Sequence, residues 1–301
     1  MDAGTCVLLL TYKRFDNLKQ NLELILKYTN FPIYISIDGP KKGENIELHR
    51  LIQEIELINE LNRITIIFYW QNQGLKNHLI MAVKDIFQRH RKIIVIEDDS
   101  SISQKFLDFI QCYSSFDLDG VAHYSGFSPL SRTVVRENLH RAYKSKYISS
   151  YAWATSKEYF EEFDGSIDFR KCIMMIWRKY KFLGLYEKII WSIYSFAARY
   201  KIVDSWAIPW TLYLWQYNLT CLSPTCNLVE YKLDQVGTHS KLKSRYIPEK
   251  PCQENHSWDT KQFIESYDKE ISRIVYRSDL SGIFVTIVSV LYRLFKKILN
   301  V

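Results

Sequence analysis

Apolar positions in the first 125 residues alternate between two periods. Short, nearly continuous apolar runs predict four buried strands, at 6–12, 32–38, 64–70 and 92–98. Between these runs, apolar residues recur at steps of three and four, which predicts amphipathic helices at 17–28, 45–62 and 77–90. Because buried strands alternate with helices, we expect an α/β fold with a parallel sheet covered on both faces. Ligands bind such sheets at the carboxyl ends of the strands.

After residue 125 this regular alternation stops. Residues 146–164 predict a strand or loop that leads into an amphipathic helix, and 171–200 are basic, aromatic and helical in pattern. Residues 204–218 predict a further helix, with Asp204 as its N-cap or in its first turn. Since the sequence has no repeat or flexible linker, we expect this second part to pack on the same sheet.

The last twenty residues form a strongly apolar helical pattern with a narrow polar stripe. The small or polar residues of this stripe recur at steps of four and three, at Gly282, Thr286, Ser289, Arg293, Lys296 and Asn300. This pattern predicts an amphipathic helix that lies on an anionic membrane surface through residues 282–300. The alternative is a terminal helix docked on the protein itself or on a second subunit.

The composition is that of an ordinary folded chain. The chain has 301 residues, of which 47% are hydrophobic, so it can bury a large core. Its net charge of +7 suits acidic ligands or anionic membranes, and we expect no nucleic-acid partner because no recognised module is present. Six scattered cysteines predict reduced thiols in the cytoplasm. The first residues lack signal-peptide features, and no apolar run reaches the roughly 20 residues that span a bilayer.

Three carboxylates, Glu97, Asp98 and Asp99, come directly after the fourth predicted strand. Buried charge without a partner is costly, so this cluster must be solvated, paired or bound to a metal. Mn²⁺ and Mg²⁺ prefer carboxylate oxygens, and commonly combine one or two of them with substrate phosphates. The cluster therefore predicts a site for a divalent cation and the diphosphate of a nucleotide sugar. A solvated cluster at the start of a helix is the alternative.

The order and spacing of several segments resemble the GT-A glycosyltransferases, specifically bacterial sugar transferases related to the N-acetylglucosaminyltransferase I family. The segments span residues 5 to 240 and read LLLTYKRFDNL, YISIDGP, NHLIMAVKDIF, IIVIEDDSSISQKFLDF, SSYAWATSKEYFEEFD, DSWAIPWTLYLW and NLVEYKLDQVGTHS. The Glu-Asp-Asp motif matches this family better than branches with Asp-x-Asp. The resemblance implies a Rossmann-like mixed sheet flanked by helices, and an inverting transfer that requires Mn²⁺ or Mg²⁺.

The resemblance also implies roles for single residues. Asp99 would be the metal ligand, and Asp204 would be the catalytic base that takes the proton of the acceptor hydroxyl. Residues implied in donor binding are Thr11, Arg14, Asp38, His78, Glu97, Asp98 and His239. Asp38 would accept a hydrogen bond from uracil or thymine, which favours a UDP-sugar donor. Trp153 would form a wall of the acceptor or donor pocket.

Several of these residues have a purely structural alternative. Asp38 and Asp204 could cap local structure, and His78 could be a surface histidine of its helix. His239 could be an ordinary loop histidine, and Trp153 could belong to the core.

The resemblance divides the chain into a nucleotide-sugar-binding half at 1–125, an acceptor-binding half at 126–245 with a helical insertion near 170–200, and a helical extension at 246–301. We expect a glycosyltransferase that acts on a glycan or lipid-linked oligosaccharide, located in the cytoplasm and attached peripherally to the inner face of the cell membrane. The stretch 177–201 could be an acceptor-side subdomain, a second membrane contact or a packed hairpin.

Two other functions compete with this interpretation. A sugar-nucleotide pyrophosphorylase would need a glycine-rich basic loop after the first strand, where the chain instead reads TYKRFDNL. A non-catalytic lipid-binding protein on a transferase scaffold would be favoured by the loss of Asp99 or Asp204, and both residues are present.

Overall fold

A computed structural model describes residues 4–12, 15–42, 53, 55, 63–114, 118–130, 135, 141–181, 183–231, 258, 263–264, 266–272, 274 and 280–298. Arg14 and His239 lie outside the described residues, as does most of the helix predicted at 45–62. Of that helix only Gln53 and Ile55 are described, and both are helical.

The first part of the chain alternates strands and helices as the apolar pattern predicts. Its elements are β1 (Thr5–Thr11), α1 (Phe15–Tyr28), β2 (Ile33–Ile37), β3 (Ile64–Phe68), α2 (Leu75–Ile86), β4 (Lys92–Glu97), β5 (Ser100–Ile102) and α3 (Gln104–Ser114). The short strand β5 follows the acidic cluster directly and ends at Ile102, because this segment pairs with a later strand.

The second part contains shorter elements. They are β6 (Val121–Ser125), β7 (Ala142–Ser145), β8 (Trp153–Ser156), α4 (Lys157–Phe160), α5 (Phe169–Met174) with a π-helical turn at Met175–Lys179, α6 (Leu185–Arg199), α7 (Ala207–Gln216), β9 (Thr220–Pro224), β10 (Val229–Tyr231), β11 (Phe263–Ile264), α8 (Asp268–Ile271) and α9 (Leu280–Ile298).

Among the described residues, the central sheet has nine strands in the order β11-β7-β9-β6-β8-β4-β1-β2-β3. Strands β4, β1, β2 and β3 are parallel, while β8 runs antiparallel between β4 and β6. The predicted α/β class, a mixed sheet flanked by helices, is confirmed. The expectation that the second part joins the same sheet is also confirmed, whereas the functional division at residues 125 and 245 stays a prediction.

Both faces of the parallel half are buried, as the continuous apolar strands predict. In β1, Val7 and Leu9 pack on one face in a cluster with α1 and α3, while Leu8 and Leu10 pack on the other face with α2 and α7. This alternation follows the two-residue period of a strand. The apolar stripes of the flanking helices therefore cover the sheet and leave its strand ends as the open edge.

The C-terminal helix α9 packs against α6 with its more polar side and turns its apolar side to solvent. Its buried or half-buried side includes Thr286, Val290 and Arg293, and the Thr286 side chain forms a hydrogen bond with Tyr194 of α6. The opposite face exposes seven large apolar side chains, those of Phe284, Ile287, Val288, Leu291, Tyr292, Phe295 and Ile298. Within the described residues, no helix combines the length and hydropathy that a bilayer-spanning segment requires.

Candidate active site

The register of the parallel strands brings their carboxyl ends to one edge of the sheet. Thr11 pairs with Ile37, Ile37 pairs with Phe68, and Leu10 pairs with Glu97. Polar residues that follow these strands therefore meet at this edge, as expected from the sequence. We call this place the carboxyl edge.

Asp98 joins the ends of β1 and β4. Its Oδ2 accepts hydrogen bonds from the backbone N–H of Tyr12 at 3.0 Å and from Oγ1 of Thr11 at 3.4 Å. The Asn17 side-chain amide donates to the Asp98 carbonyl at 2.9 Å. Asp98 and the buried Thr11 are thus in contact, as two members of one predicted site, and they fix the turn on which Asp99 stands.

Glu97 is half-buried and contacts the second part of the chain. The indole Nε1–H of Trp206 donates to its Oε1 at 2.9 Å. Burial and the neighbouring charges of Asp99 and Asp98 raise the pKa of Glu97 well above its usual value, while the Trp206 hydrogen bond opposes this shift. The ionised form of Glu97 is therefore disfavoured, first because its carboxyl group is removed from water and second because two other carboxylates lie beside it.

Asp38, after β2, holds the loop that follows β3. Its two carboxylate oxygens accept from the backbone N–H groups of Gly39, Gln73 and Gly74 at 2.9, 2.8 and 3.2 Å, and from the Asn72 side chain at 3.0 Å. A carboxylate has about four acceptor positions. All four of them are used here, so Asp38 in this conformation fastens the loop.

Asp204 lies against the far side of the same loop. A Cβ atom built on Gly74 would approach Oδ2 of Asp204 to 2.8 Å, and Gly74 has a φ of 74°. Glycine is required here both by the left-handed backbone and by the close carboxylate. Gly74 therefore donates its backbone N–H to Asp38 and lies next to the Asp204 carboxylate.

The alternative that Asp204 caps a helix is wrong. Helix α7 begins at Ala207, its N-cap is Trp206, and no side chain forms a cap hydrogen bond there. Asp204 is exposed in the segment before the helix, which was predicted to start at 204. Its carboxylate is consequently presented at the surface of the site.

His78 is a buried residue of α2. From the sequence we expect it either to contact the nucleotide or to lie on the surface of the helix, and neither expectation includes burial. Its Nε2 lies 2.8 Å from Oγ of Ser36, and the side chain is 4% exposed. Burial lowers the pKa of His78 to about 4, although the nearby Asp38 charge opposes the shift. His78 therefore supports the strand below Asp38 in its neutral form.

Trp153 belongs to the hydrophobic core. It is fully buried and stacks on Trp206 at 4.7 Å and on His123 at 5.1 Å between ring centroids. It has no face exposed to a sugar, which fits the core alternative rather than a pocket wall. However, Trp153 packs against Trp206, which is the residue that donates a hydrogen bond to Glu97.

Strand β10 lies beside the acidic turn at Glu97–Asp99, and the described residues stop at its last residue and resume at residue 258. Strand β10 pairs antiparallel with β5, and its last residue, Tyr231, pairs with Ser100, the residue after Asp99. His239 is eight residues further along and lies outside the described residues.

Two contacts of the site were missed by sequence reasoning. Trp206 and Asn17 bind the acidic motif from α7 and α1, yet each looks like an ordinary helix residue in the sequence. For Trp206 a weak signal exists, because it follows Asp204 by only two residues.

The carboxyl edge can accept a cation only together with other ligands. Among the described residues, no group of three His, Cys, Asp or Glu side chains is arranged to hold a metal ion. Two or three adjacent carboxylates with mutual repulsion nevertheless favour a cation, and oxygen ligands suit Mn²⁺ or Mg²⁺. The donor set thus fits an ion that takes its remaining ligands from phosphates and water.

No protein-family model matches the chain, and no curated protein matches it. Solved structures give distant matches. A mannosyltransferase from Pyrobaculum calidifontis in complex with GDP-Man and Mn²⁺ is 11% identical, with 71% of this chain and 74% of that chain covered and a TM-score of 0.41. GalNAc-T7 with UDP, GalNAc and Mn²⁺ is 11% identical, with 75% and 43% covered and a TM-score of 0.48. HddC from Yersinia pseudotuberculosis is 14% identical, with 52% and 79% covered and a TM-score of 0.34.

The buried His78 predicts a loss of stability in acid. The unfolded histidine takes up a proton near pH 6.5, whereas the folded one does so only near pH 4. The free energy of unfolding should therefore fall by on the order of 3 kcal/mol as the pH drops through this interval. Urea unfolding at several pH values measures it.

His78→Gln, which can keep the hydrogen bond to Ser36, is the comparison. The difference in stability between native protein and variant should shrink between pH 6.5 and 4. His123, also buried with a pKa lowered to about 3, contributes to both proteins and cancels. Parallel pH dependences of the two proteins would contradict the assignment.

Proposed function

We propose that the chain is a metal-dependent, inverting glycosyltransferase of the GT-A type that takes its sugar from a nucleoside-diphosphate donor, with UDP-sugars favoured. The observation that carries this proposal is the meeting of the Glu97–Asp99 turn, the Asp38-held loop and the exposed Asp204 carboxylate at one edge of the sheet. Such an edge is where nucleotides bind in open α/β sheets.

Asp99 is the proposed ligand of the metal, and the donor diphosphate completes the coordination. When bound, Mn²⁺ or Mg²⁺ would offset the negative charge that grows on the leaving diphosphate. Thr11 and Asp98 hold the turn in place through their hydrogen bonds, and the indole of Trp206 holds Glu97. In this assignment Arg14 and His239 remain donor-binding predictions.

Asp204 is the proposed catalytic base. The acceptor oxygen attacks the anomeric carbon, the bond from that carbon to the diphosphate oxygen breaks, and the acceptor's hydroxyl proton passes to the Asp204 carboxylate. Attack opposite the leaving group inverts the configuration. An exposed carboxylate next to the donor loop suits this task, because the acceptor must reach it from solvent.

Asp38 and His78 act in this proposal through the loop. Their side chains are nearly fully buried and engaged with Asn72–Gly74 and Ser36, so they shape the donor pocket from below rather than touch the base. A preference for uridine then depends on other residues of the pocket.

The proposed acceptor is a lipid-linked glycan of a surface polysaccharide, and α9 is the proposed contact with an anionic membrane. The exposed residues Phe284, Val288, Leu291, Phe295 and Ile298 follow one another at steps of four and three, which makes a single apolar face. Lys296 is exposed beside this face, and the whole chain carries a charge of +7. An apolar helix face next to basic residues matches both the acyl chains and the negatively charged headgroups at the surface of an anionic bilayer.

We expect Asp99→Asn to abolish the cation-dependent binding of the donor. The native protein should show a rise in melting temperature with UDP and Mn²⁺ together, and a much smaller rise with either one alone. The variant should lose the response, because the neutral amide is a poor metal ligand. Thermal unfolding with and without each component measures it.

Asp85→Asn, on the exposed side of α2, is the matched control and should respond like the native protein. If the native protein responds to no nucleotide diphosphate at all, the transferase proposal gives way to a non-catalytic protein on this scaffold.

Gly74→Ala should reduce transfer much more than it reduces stability. An alanine at φ 74° and ψ 155°, a backbone conformation that is almost restricted to glycine, is strained by roughly 1–3 kcal/mol, and its methyl group would force the Asp204 carboxylate out of place. Transfer should fall at least tenfold while donor binding is kept, and Asp204→Asn should have a still larger effect on kcat. Steady-state kinetics and urea unfolding separate the two quantities.

Gly120→Ala is the control, because Gly120 has nearly the same φ, 71°, but no atom within 4 Å of the added Cβ. It adds a methyl group at positive φ without a contact to Asp204, so its transfer rate should be unchanged. Equal transfer rates in both variants would argue against Asp204 as the base.

Replacement of Phe284, Leu291 and Phe295 by serine should weaken membrane binding. These side chains are 68, 57 and 62% exposed, so their loss should leave the fold intact while it removes most of the apolar face. Full burial of such a side chain is worth about 1.5–3 kcal/mol, and partial burial in the interface correspondingly less. Co-sedimentation with vesicles that contain anionic phospholipid should fall at least tenfold.

A control with Trp70, Met81 and Tyr217 replaced by serine removes three exposed apolar side chains elsewhere. It should bind vesicles like the native protein. Equal binding by the native protein, the α9 variant and a chain that ends before Gly282 would end the anchor proposal.

A further inference from the structure

A second cleft, separate from the carboxyl edge, opens between three segments of the chain. It has a volume of about 700 Å³ and is lined by the first turn of α2, by residues 164–170 before and at the start of α5, and by residues 198–201 at and after the end of α6. We call it the basic cleft, because four cations line it: Lys76, Arg170, Arg199 and Lys201.

The acidic side chains that line the basic cleft have partners in the protein, whereas three of its cationic side chains form no ion pair among the described residues. Its two carboxylates are engaged locally, since Asp164 accepts from the backbone N–H of Ser166 at 2.8 Å and Asp168 caps α5 and pairs with Lys171 at 3.6 Å. Arg170, Arg199 and Lys201 are exposed and form no ion pair within the described part of the chain. The cleft therefore presents a positive surface that suits an anion with several oxygens, such as a diphosphate.

The basic cleft borders the site of the proposed base. Lys76 follows Gly74 by two residues, and Lys201 precedes Asp204 by three, a stretch of chain that spans at most about 10 Å. Gly74 and Asp204 contact each other, so the two walls converge on the exposed Asp204 carboxylate. A ligand held in the cleft would approach Asp204 from the side open to solvent.

The wall of the cleft at 198–201 also adjoins the apolar helix α9. Nζ of Lys297 donates to the carbonyls of Tyr200 and Lys201 at 3.1 and 3.2 Å, and Val290 packs with Ile202. Two residues that line the cleft, Tyr200 and Lys201, are thus in direct contact with α9. A molecule with an apolar chain on α9 and an anionic group in the cleft would direct its remaining part to Asp204.

We propose that the basic cleft binds the diphosphate of a lipid-diphosphate-linked acceptor and delivers its glycan to Asp204. This inference rests on the proposed transferase function and adds the chemical class of the acceptor and the residues that recognise it. Arg170 and Arg199 would bind the phosphate oxygens through their guanidinium groups, with Lys76 and Lys201 as point charges beside them.

The test compares binding of three probes by calorimetry: farnesyl diphosphate, farnesol and inorganic pyrophosphate. The full-length protein should bind farnesyl diphosphate at least tenfold more tightly than either of the others, since only this probe has both the apolar chain and the anion. Higher salt should weaken this binding, because the cations are exposed.

The variant Arg170→Gln/Arg199→Gln/Lys201→Gln should bind farnesyl diphosphate at least tenfold more weakly and farnesol unchanged. The matched control Lys27→Gln/Arg89→Gln/Arg91→Gln removes three exposed cations near the opposite ends of the strands and should bind like the native protein. Equal affinity of native protein and cleft variant, or an equal loss in the control, would overturn the proposal.

Asp99→Asn separates this inference from the proposed function. It should lose UDP binding with Mn²⁺ and keep the binding of farnesyl diphosphate, because the cleft does not use the acidic turn. If the variant also loses farnesyl diphosphate, the probe occupies the donor site and the cleft proposal is wrong. If the native protein binds no nucleotide, the transferase proposal fails, while the comparison of cleft variants still decides whether a lipid diphosphate binds there.

Discussion

The repulsion among three consecutive carboxylates is the constraint around which this site is organised. Glu97, Asp98 and Asp99 leave a fully buried strand together, and the protein separates their tasks by giving them different partners. Asp98 receives two donors from the end of β1, and Glu97 receives the indole N–H of Trp206 and an elevated pKa. The turn is thereby fixed while negative charge stays concentrated at the open edge, where a cation can offset it.

A continuous series of contacts connects the site to the C-terminal helix α9. Asp38 holds the loop, Gly74 of the loop contacts Asp204, and Asp204 follows the end of α6. That end is closed by backbone hydrogen bonds from Ile202 and Val203 to Ala197, and Val290 and Leu294 of α9 pack against the same residues. The position of the proposed base therefore depends on α9, although the two are far apart in the sequence.

Sequence reasoning predicted the sheet and the carboxyl edge but not the partners of individual side chains. The strands of the parallel half were found because their apolar runs reflect burial on both faces, and the edge followed from strand direction alone. Asp38 and His78 were placed correctly in the fold, yet their orientation depends on Asn72, Gln73 and Ser36, contacts between separate strands and loops that no local pattern contains. Trp206 was missed for the same reason. The helix predicted at 204 begins at 207 because the preceding segment is fixed by the end of α6.

The orientation of α9 is the observation that a sequence pattern could not supply. An amphipathic helix on a soluble protein normally turns its apolar face to the core. Here the polar side is turned inward, where Lys297 donates to two carbonyls at the end of α6 and Thr286 contacts Tyr194. Seven large apolar side chains are left in water, an arrangement that lowers stability unless an apolar medium covers them. The polar contacts specify which face is outward, and the hydrophobic effect then favours an interface in which that face is buried. Because Lys297 of α9 binds the carbonyls of Tyr200 and Lys201, two residues that line the basic cleft, the cleft and the exposed face of α9 have a fixed relative orientation.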